Sequence, residues 1–215
     1  MTEKKTLLVL GCGFLTSHLI PQITPFVDHF ILIDREKIEK VNYDNYLLPK
    51  GYESRRKVTA FTVMINMISY SAVSPIHENV RNIAQLERIN AEFKPDIAIV
   101  GFDNVRGRII ARDFAVQSKI PTLSTSVTEN YVHVNWIDRI PFPSSEAEIL
   151  AVEEAMSKIR DVCTRIEFRM LGTLAASLAY SAFTKYVETG EKVAYTATTH
   201  DILRVATIRD IRRKK

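Results

Sequence analysis

The stretch of residues 7–57 constrains the fold of this chain more than any other part of the sequence. An apolar run at residues 7–10 is followed at once by Gly11-Cys12-Gly13 and a helix-like pattern, and a second apolar run ends in Asp34. A strand, a glycine turn, a helix and a second strand ending in a carboxylate about twenty residues on form the layout of a nucleotide-binding βαβ unit. Glycines let the backbone turn tightly beside a phosphate, and the N–H groups that open the helix favour an anion. The acid can accept hydrogen bonds from ribose hydroxyls.

The match to a dinucleotide fingerprint is incomplete, because Thr16 stands where a third glycine would let helix and strand pack closely. Spacing alone therefore leaves two interpretations, a nucleotide site and a plain turn of an α/β core. An NAD-dependent oxidoreductase is a further alternative. Against it, a polar and aromatic loop at residues 37–56 occupies the place of a dehydrogenase's next helix, and no Lys/Tyr or His hydride-transfer partner is evident.

Composition narrows the class of protein. The 215 residues are 46% hydrophobic and 25% charged, ordinary values for a globular chain that can bury a core. The two cysteines, Cys12 and Cys163, form no CxxC pair, so neither a disulfide framework nor zinc binding is expected, and a reducing compartment is the default. No apolar run reaches membrane-spanning length, and the net charge of +4 is mild, with the basic tail 209–215 read as a solvated end. We expect a cytoplasmic protein with no nucleic-acid or membrane partner.

Apolar runs alternate with helical patterns through the first 126 residues. Pro21 predicts that the first helix ends or kinks near Ile20, and Pro75 predicts an edge strand. Such alternation means a mostly parallel sheet with right-handed crossovers. Strands are predicted at 6–10, 30–34, 73–77, 96–100 and 121–126, and helices at 14–24, 58–70, 83–93 and 105–118.

The pattern changes after residue 126. Residues 131–137 alternate apolar and polar side chains, as in a half-solvated antiparallel strand, and helices are predicted at 146–160 and 167–187, before strands at 193–198 and 202–208. The predicted fold class is α/β: a doubly wound, mostly parallel Rossmann-like sheet with helices on both faces and antiparallel C-terminal strands. The whole chain, residues 1–215, is expected to form one nucleotide-binding domain, in which residues 130–215 are the antiparallel and helical closing part.

Three candidate ligand residues, Gly11, Asp34 and Asp103, stand at or just beyond the ends of predicted strands. In open α/β sheets, ligands bind beyond the carboxyl ends of the strands. Their convergence on one edge of the sheet strengthens the prediction of a site there.

Several linked motifs, spread over nearly the whole chain, resemble the ThiF/MoeB/HesA family of ATP-dependent activating enzymes, which includes the ubiquitin-activating adenylation domains. The family pattern runs GxGGLGS, D-x-D, V-x-x-S-N-L-x-R-Q, G-x-x-K and D-N-x-x-x-R. Here it reads Gly11-Cys12-Gly13-Phe14-Leu15-Thr16-Ser17, then Asp34-Arg35-Glu36, then 41–46 with Asn42 and Asn45, then a basic run ending in Lys57, then Asp103-Asn104 to Arg108. The chain is identified as a divergent member.

The resemblance implies an adenylyltransferase that uses ATP and Mg²⁺ to activate the C-terminal carboxylate of a ubiquitin-like or sulfur-carrier protein, or of a peptide, within a homodimer or heterodimer. By that resemblance, Asp34 holds the ribose, Lys57 the phosphates and Asp103 the Mg²⁺ ion. Asn42 lies near the reacting α-phosphate. The implied catalytic residues are Asn42, Lys57, Asp103 and Cys163. The implied nucleotide-binding residues are Gly11, Cys12, Gly13, Phe14, Leu15, Asp34, Glu36, Asn42, Asn45, Lys57, Asp103, Asn104 and Arg108.

The chain departs from the family pattern at a position that bears on catalysis. Asn45 stands in place of the arginine of N-x-x-R-Q, and only five residues precede the first predicted strand, so the N-terminal helix that lends an arginine across a dimer in many members is not expected. Arg35, Arg55 and Arg56 are candidates to substitute. Losing one transition-state donor typically costs on the order of 10²–10³ in rate. A catalytically silent partner subunit or scaffold is therefore the main alternative function.

Two further positions each carry two interpretations. Cys163 is either a sulfur-transfer or thioester thiol, as in some relatives, or an inert thiol, whereas Cys12 is read as a small filler of the turn. Arg108 is either a nucleotide contact or a salt-bridge residue at the start of a helix.

The large aromatic and imidazole side chains favour structural roles. Trp136 with Tyr131 is read as strand packing, with the floor of a groove for a carrier tail as the alternative. Four of the five histidines, His18, His77, His133 and His200, show no metal-ligand spacing and are read as ordinary surface or core residues.

Overall fold

The computed structural model describes residues 3–128, 130–158 and 166–198, apart from the side chain of Glu167. These residues contain one seven-stranded sheet in the order β3-β2-β1-β4-β5-β6-β7. The strands are β1 (Lys5–Leu10), β2 (Val27–Ile33), β3 (Ala72–Ile76), β4 (Ile97–Val100), β5 (Thr122–Val127), β6 (Tyr131–Trp136) and β7 (Tyr195–Thr198). The helices are α1 (Phe14–Ile23), α2 (Asn42–Asn45), α3 (Lys57–Ile68), α4 (Ile83–Phe93), α5 (Val105–Ser118), α6 (Glu146–Ser157) and α7 (Arg169–Thr189), with 3₁₀ turns at Thr24–Phe26, Ile137–Arg139 and Ile166–Phe168.

The sheet is parallel from β3 to β5 and antiparallel beyond, which confirms the predicted fold class. β1 pairs in parallel with both β2 and β4, whereas β6 pairs antiparallel with β5 and with β7. The central strands are continuous apolar runs because both of their faces are covered. One face packs on α1, α3 and α7, and the other on α4 and α5.

The helix predicted at 14–24 is found to within one residue, and the prediction that Pro21 ends α1 near Ile20 is wrong, because the helix continues through Pro21 to Ile23. A proline lacks the N–H that would bond the carbonyl four residues earlier, so the helix loses one hydrogen bond there. Ile20 and Ile23 are 1% and 0% exposed, and this burial holds the last turn in place. The Thr24 N–H then donates to the Ile20 carbonyl and closes the helix. The prediction for Pro75 is confirmed, since β3 is the edge strand.

Other boundaries differ by a few residues. The loop predicted at 37–56 contains the short helix α2, and β6 ends at Trp136, where a 3₁₀ turn begins at Ile137. α6 begins as predicted behind Ser145, whose hydroxyl accepts from the Glu148 N–H in a capping box. α6 ends at Ser157, and residues 159–160 of the predicted helix and the strand predicted at 202–208 lie outside the described residues.

No helix within the described parts of the chain is both long and apolar enough to cross a membrane.

Candidate nucleotide-binding site

The glycine turn after β1 is closed by its contacts with the neighbouring strands. The Gly11 N–H donates to the Ile33 carbonyl at 2.9 Å, and Gly11 has a φ of +98°. A Cβ at Gly11 would lie 2.9 Å from the Gly101 carbonyl carbon, so only glycine fits between the ends of β1 and β4. The Thr16 hydroxyl lies 3.0 Å from the Gly11 carbonyl and 2.9 Å from the Gly13 carbonyl, and can donate to either. The residue that replaces the third glycine therefore tightens the turn.

The N-terminus of α1 faces this turn without a protein anion. Its cap residue, Gly13, has no side chain to accept a hydrogen bond, and no acidic residue lies in the first turn. Phe14 is buried and stacks on Tyr46 with ring centroids 6.3 Å apart. Because the free N–H groups and the helix dipole attract negative charge, this position suits a phosphate.

Asp34 links the turn to the loop that follows β2. One carboxylate oxygen accepts from the Cys12 N–H at 2.8 Å, and the other accepts from the Glu36 N–H at 2.6 Å. Burial raises the pKa of Asp34, although these two hydrogen bonds and nearby Lys57 oppose the rise. Each oxygen keeps a further lone pair, so the carboxylate can still accept from a ribose hydroxyl.

Lys57 opens α3 with its amine inside the site. Its side chain is 7% exposed, and Nζ lies 2.5 Å from Oε2 of Glu36 and 3.3 Å from the Tyr46 hydroxyl. Burial alone would lower the pKa of Lys57, but Tyr46, Glu36 and Asp34 together raise it above its ordinary value. The amine therefore stays charged at physiological pH.

A short backbone ladder brings Lys57 next to Glu36. The Lys57 N–H donates to the Glu36 carbonyl at 2.9 Å, the Ile38 N–H to the Arg55 carbonyl at 2.8 Å, and Lys37 pairs with Arg56 in an antiparallel bridge. The two ends of the loop at residues 37–56 are thus held together by antiparallel backbone hydrogen bonds beside the site.

The tip of the same loop is tied to α1. The buried side chain of Asn42 accepts from the Glu39 N–H at 2.9 Å and shapes the start of α2. His18 Nε2 lies 2.7 Å from the Asn45 carbonyl, and the Leu47 N–H donates to the Ser17 hydroxyl at 3.1 Å. Asn45 is 0% exposed, so its side chain lies inside the protein.

Asp103 and Asn104 follow β4 at the same edge. Gly101 contacts Gly11, so Asp103 lies two residues beyond the point where the strands meet. Its carboxylate is exposed, with Nδ2 of Asn104 at 3.5 Å. Oδ1 of Asn104 accepts from the Gly107 N–H at 2.7 Å and caps α5, which is a structural role that the sequence did not predict.

Of the two interpretations of Arg108, the salt bridge at the helix start is not found among the contacts of the described residues, and the nucleotide contact stays a prediction. Its guanidinium donates to the Phe102 carbonyl at 2.6 Å, to the Ser124 hydroxyl at 2.8 Å and to the Thr125 carbonyl at 2.8 Å, all of them neutral groups. Burial lowers the pKa of Arg108 to about 10. The side chain clamps the loop after β4 to the end of β5, below the exposed Asp103.

The metal prediction rests on Asp103. Mg²⁺ is usually held by one or two carboxylates together with substrate phosphates and water. One exposed carboxylate at the edge of the site fits that pattern. Among the residues that the structure describes, no group of three or more His, Cys, Asp or Glu side chains is gathered to hold a metal by itself.

Two other sequence interpretations have structural outcomes. The Cys12 thiol is fully buried and its pKa is raised, first by burial and then by Asp34, as expected of a packing residue. Trp136 is 0% exposed and donates from Nε1 to the Val193 carbonyl at 2.9 Å, so it is packed in the core and does not floor a groove. Cys163 and His200 lie outside the described residues.

The structure brings together most of the predicted residues and adds others. Gly11, Gly13, Asp34, Glu36 and Lys57 meet at one corner of the sheet edge. Tyr46, His18 and Thr16 were not predicted as members of this corner. Thr16 occupies a motif position, which was a signal, but no local pattern pointed to the other two.

The fold and the corner define a class: a Rossmann-like α/β domain whose polar residues gather beyond the carboxyl ends of its parallel strands. The sequence model of the ThiF family matches residues 2–215, and the chain belongs to the ThiF family. None of the curated proteins compared with the chain matches it.

Solved structures share the fold at low sequence identity. E. coli MccB, in a structure described as MccB with ATP, is 15% identical, with a TM-score of 0.70 over 92% of this chain and 64% of that chain. The Microcin C7 biosynthetic enzyme MccB in complex with N-formylated MccA is 15% identical, with a TM-score of 0.69 over 90% of this chain and 64% of that one. PaaA is 14% identical, with a TM-score of 0.70 over 91% of this chain and 70% of that chain. The chain thus spans 64% of the length of MccB.

Proposed function

We propose that this protein is an ATP-dependent adenylyltransferase that activates the C-terminal carboxylate of a ubiquitin-like or sulfur-carrier protein, or of a peptide. The observation that carries the proposal is the corner formed by Asp34 and Lys57 around the glycine turn, in a chain of the ThiF family. The structural likeness to MccB, which has been described with ATP and with N-formylated MccA, supports a nucleotide and a protein or peptide partner.

In the proposed reaction, an oxygen of the acceptor carboxylate bonds to the α-phosphorus of ATP. The bond from that phosphorus to the bridging oxygen of pyrophosphate breaks, pyrophosphate leaves, and an acyl adenylate is formed without any proton transfer. Mg²⁺ held by Asp103 would offset negative charge on the phosphates. Asp34 orients the ribose, the uncapped N-terminus of α1 attracts a phosphate, and Lys57 contributes a buried positive charge.

The test combines nucleotide binding with ATP–pyrophosphate exchange. Wild-type protein is titrated calorimetrically with ATP–Mg²⁺ and with NAD, and exchange is then measured with a panel of ubiquitin-like proteins, sulfur-carrier proteins and peptides. We expect ATP binding, and exchange with at least one acceptor. Asp103→Ala is expected to lower exchange by on the order of 10²-fold. Asp113→Ala, which removes an exposed carboxylate of α5, is the matched control and should retain exchange.

Each alternative predicts a different result. Tight NAD binding without ATP binding would support an oxidoreductase and contradict the proposal. ATP binding without exchange for any acceptor would support the silent partner subunit. That alternative has one specific observation in its favour, since the buried Asn45 offers no charge to the phosphates.

A further inference from the structure

We infer that Arg55 supplies the phosphates of the bound nucleotide with the positive charge that Asn45 cannot provide. The inference rests on the proposed function and names a residue of the same site. Two observations support it. Other cations near the glycine turn already contact protein groups, and Arg55 lies on the side of the backbone ladder that faces the site.

The other cations around the site are already committed to protein groups. Lys57 is paired with Glu36 at 2.5 Å, so much of its charge is neutralised before any ligand arrives. Arg108 donates three hydrogen bonds to neutral protein groups, and Nη1 of Arg169 lies 3.4 Å from the Asp44 carbonyl. A triphosphate with its Mg²⁺ ion keeps a net negative charge, so a further free cation is needed to bind it strongly.

The backbone ladder determines which arginine faces the site. Opposed residues of an antiparallel pair point to the same side, and consecutive residues of an extended segment point to opposite sides. The ion pair shows that Glu36 and Lys57 share the side that faces the site. Arg55, two residues before Lys57, lies on that side, whereas Arg56 lies on the other side with Lys37.

The geometry also brings Arg55 close enough. Two residues of extended backbone span roughly 6–7 Å, and the arginine side chain is long enough to cover that separation. Ser54, with a φ of 64°, forms the turn that starts this segment, in the place of the glycine in the family's G-x-x-K pattern. Arg35 is excluded by the same alternation, since it lies between Asp34 and Glu36, which both face the site.

Arg55 is free to bind an anion. It is exposed, and among the described residues no side-chain hydrogen bond or ion pair engages its guanidinium. The backbone around it is ordered by the bonds from the Ile38 N–H to the Arg55 carbonyl and from the Arg55 N–H to the Tyr52 carbonyl, at 2.8 and 3.0 Å. A guanidinium can donate two parallel hydrogen bonds to a phosphate, which an isolated ammonium cannot.

The experiment compares Arg55→Ala with Arg56→Ala, which removes the same charge from the adjacent residue on the opposite side. Wild type, both variants and Arg55→Lys are titrated with ATP–Mg²⁺ and with adenosine at one ionic strength. Arg55→Ala should weaken ATP binding by roughly 10- to 100-fold and leave adenosine binding unchanged. Arg56→Ala should retain most of the ATP affinity, and Arg55→Lys should be intermediate.

The outcomes separate this inference from the proposed function. If wild type binds ATP and the two alanine variants are equally weakened, the cations act only as a diffuse field and Arg55 has no special role. If Arg55→Ala weakens adenosine as much as ATP, the residue supports the structure of the site and the inference is overturned. If wild type binds no ATP, the proposed function fails and this inference fails with it.

Discussion

His18 connects three elements around the site, although it was not itself predicted to bind the nucleotide. Its Nε2 lies 2.7 Å from the Asn45 carbonyl, and its Nδ1 lies 3.2 Å from the Thr173 hydroxyl of α7. Because a carbonyl can only accept, Nε2 carries the proton in this arrangement, and Nδ1 accepts when the ring is neutral. The side chain is 4% exposed, so this single neutral imidazole holds α1, α2 and α7 in register.

The titration of His18 makes stability depend on pH. Burial lowers its pKa below 6.5, and Arg169 acts in the same direction, while the bond to Asn45 acts against them. Below pH about 6.5, His18 binds a proton in the unfolded chain but not in the folded chain. The free energy of unfolding therefore falls as the pH is lowered, by at most about 1.4 kcal/mol per pH unit. Above that pH the contribution is constant. The melting temperature should therefore drop more between pH 7.5 and 5.5 in wild type than in His18→Gln. Equal drops would contradict this account.

The sequence predicted the site residues that belong to local motifs, and it missed those that are defined by distant contacts. Asp34 and Lys57 stand in recognisable patterns, and both lie at the corner of the site. His18 meets Asn45 across 27 positions and Thr173 across 155, so no window of sequence contains that connection. Arg108 was recognised as important, but its neutral partners on β5 depend on how the sheet is assembled.

At the scale of elements, the closest packing in the site region is between α1 and α7. A Cβ at Gly172 would lie 2.0 Å from Cζ of Phe14, so α7 can approach the start of α1 only with glycine at that position. Phe14 in turn stacks on Tyr46, whose hydroxyl lies 3.3 Å from Nζ of Lys57. The position of α7 therefore sets the position of the start of α1, beside the glycine turn.

Gly172→Ala should disturb both stability and nucleotide binding. Overpacking of this kind costs about 1–3 kcal/mol, and displacement of Phe14 should weaken ATP binding as well. Ser177→Ala, at an exposed position of the same helix, is the matched control and should change stability by less than about 0.5 kcal/mol. Urea denaturation measures the stability of both variants, and titration with ATP–Mg²⁺ measures their nucleotide binding. Adding Phe14→Leu to Gly172→Ala should recover part of the loss, and equal stabilities of Gly172→Ala and Ser177→Ala would refute the packing argument.

Most elements could be predicted because their signals are local. Apolar runs bounded by glycine and acidic residues marked the parallel strands, and the start of α6 at Glu146 was predicted as well. Only the effect of Pro21 on α1 was misjudged, because the burial of Ile23 outweighs the local effect of the proline. The short helix α2 was also missed, since four residues carry too little periodicity to be recognised.

At the scale of the whole molecule, the sheet is most protected at its centre. β1 lies between β2 and β4, and residues 7–10 are fully buried, whereas β7 is a four-residue strand paired on one side within the described residues and alternately exposed. Unfolding that exposes the centre requires loss of both layers of helices, while a short, half-exposed strand can open locally.

Hydrogen exchange followed by mass spectrometry should resolve this difference. The amides of β1 should exchange with a protection free energy close to that of global unfolding, and those of β7 should exchange faster. Comparable protection in β1 and β7 would show that the C-terminal strands are as stable as the parallel core.

The alternation of strands and helices predicted the mixed sheet as a class but did not give the strand order. β1 lies between β2 and β4 because the chain reverses the direction of its crossovers after β3, and that choice depends on the packing of whole layers. It is this reversal that brings Asp103, far along the chain, to the glycine turn.

The ion pair between Lys57 and Glu36 has a consequence for how any phosphate is bound. The amine has a protein carboxylate as its counterion in the free state, so a phosphate that reaches Lys57 must replace Glu36 as its partner. Affinity for the phosphate then reflects the difference between two ion pairs, and the displaced carboxylate must be solvated or find another donor. Because Lys57 is already paired within the protein, the site favours ligands that carry enough charge to displace Glu36.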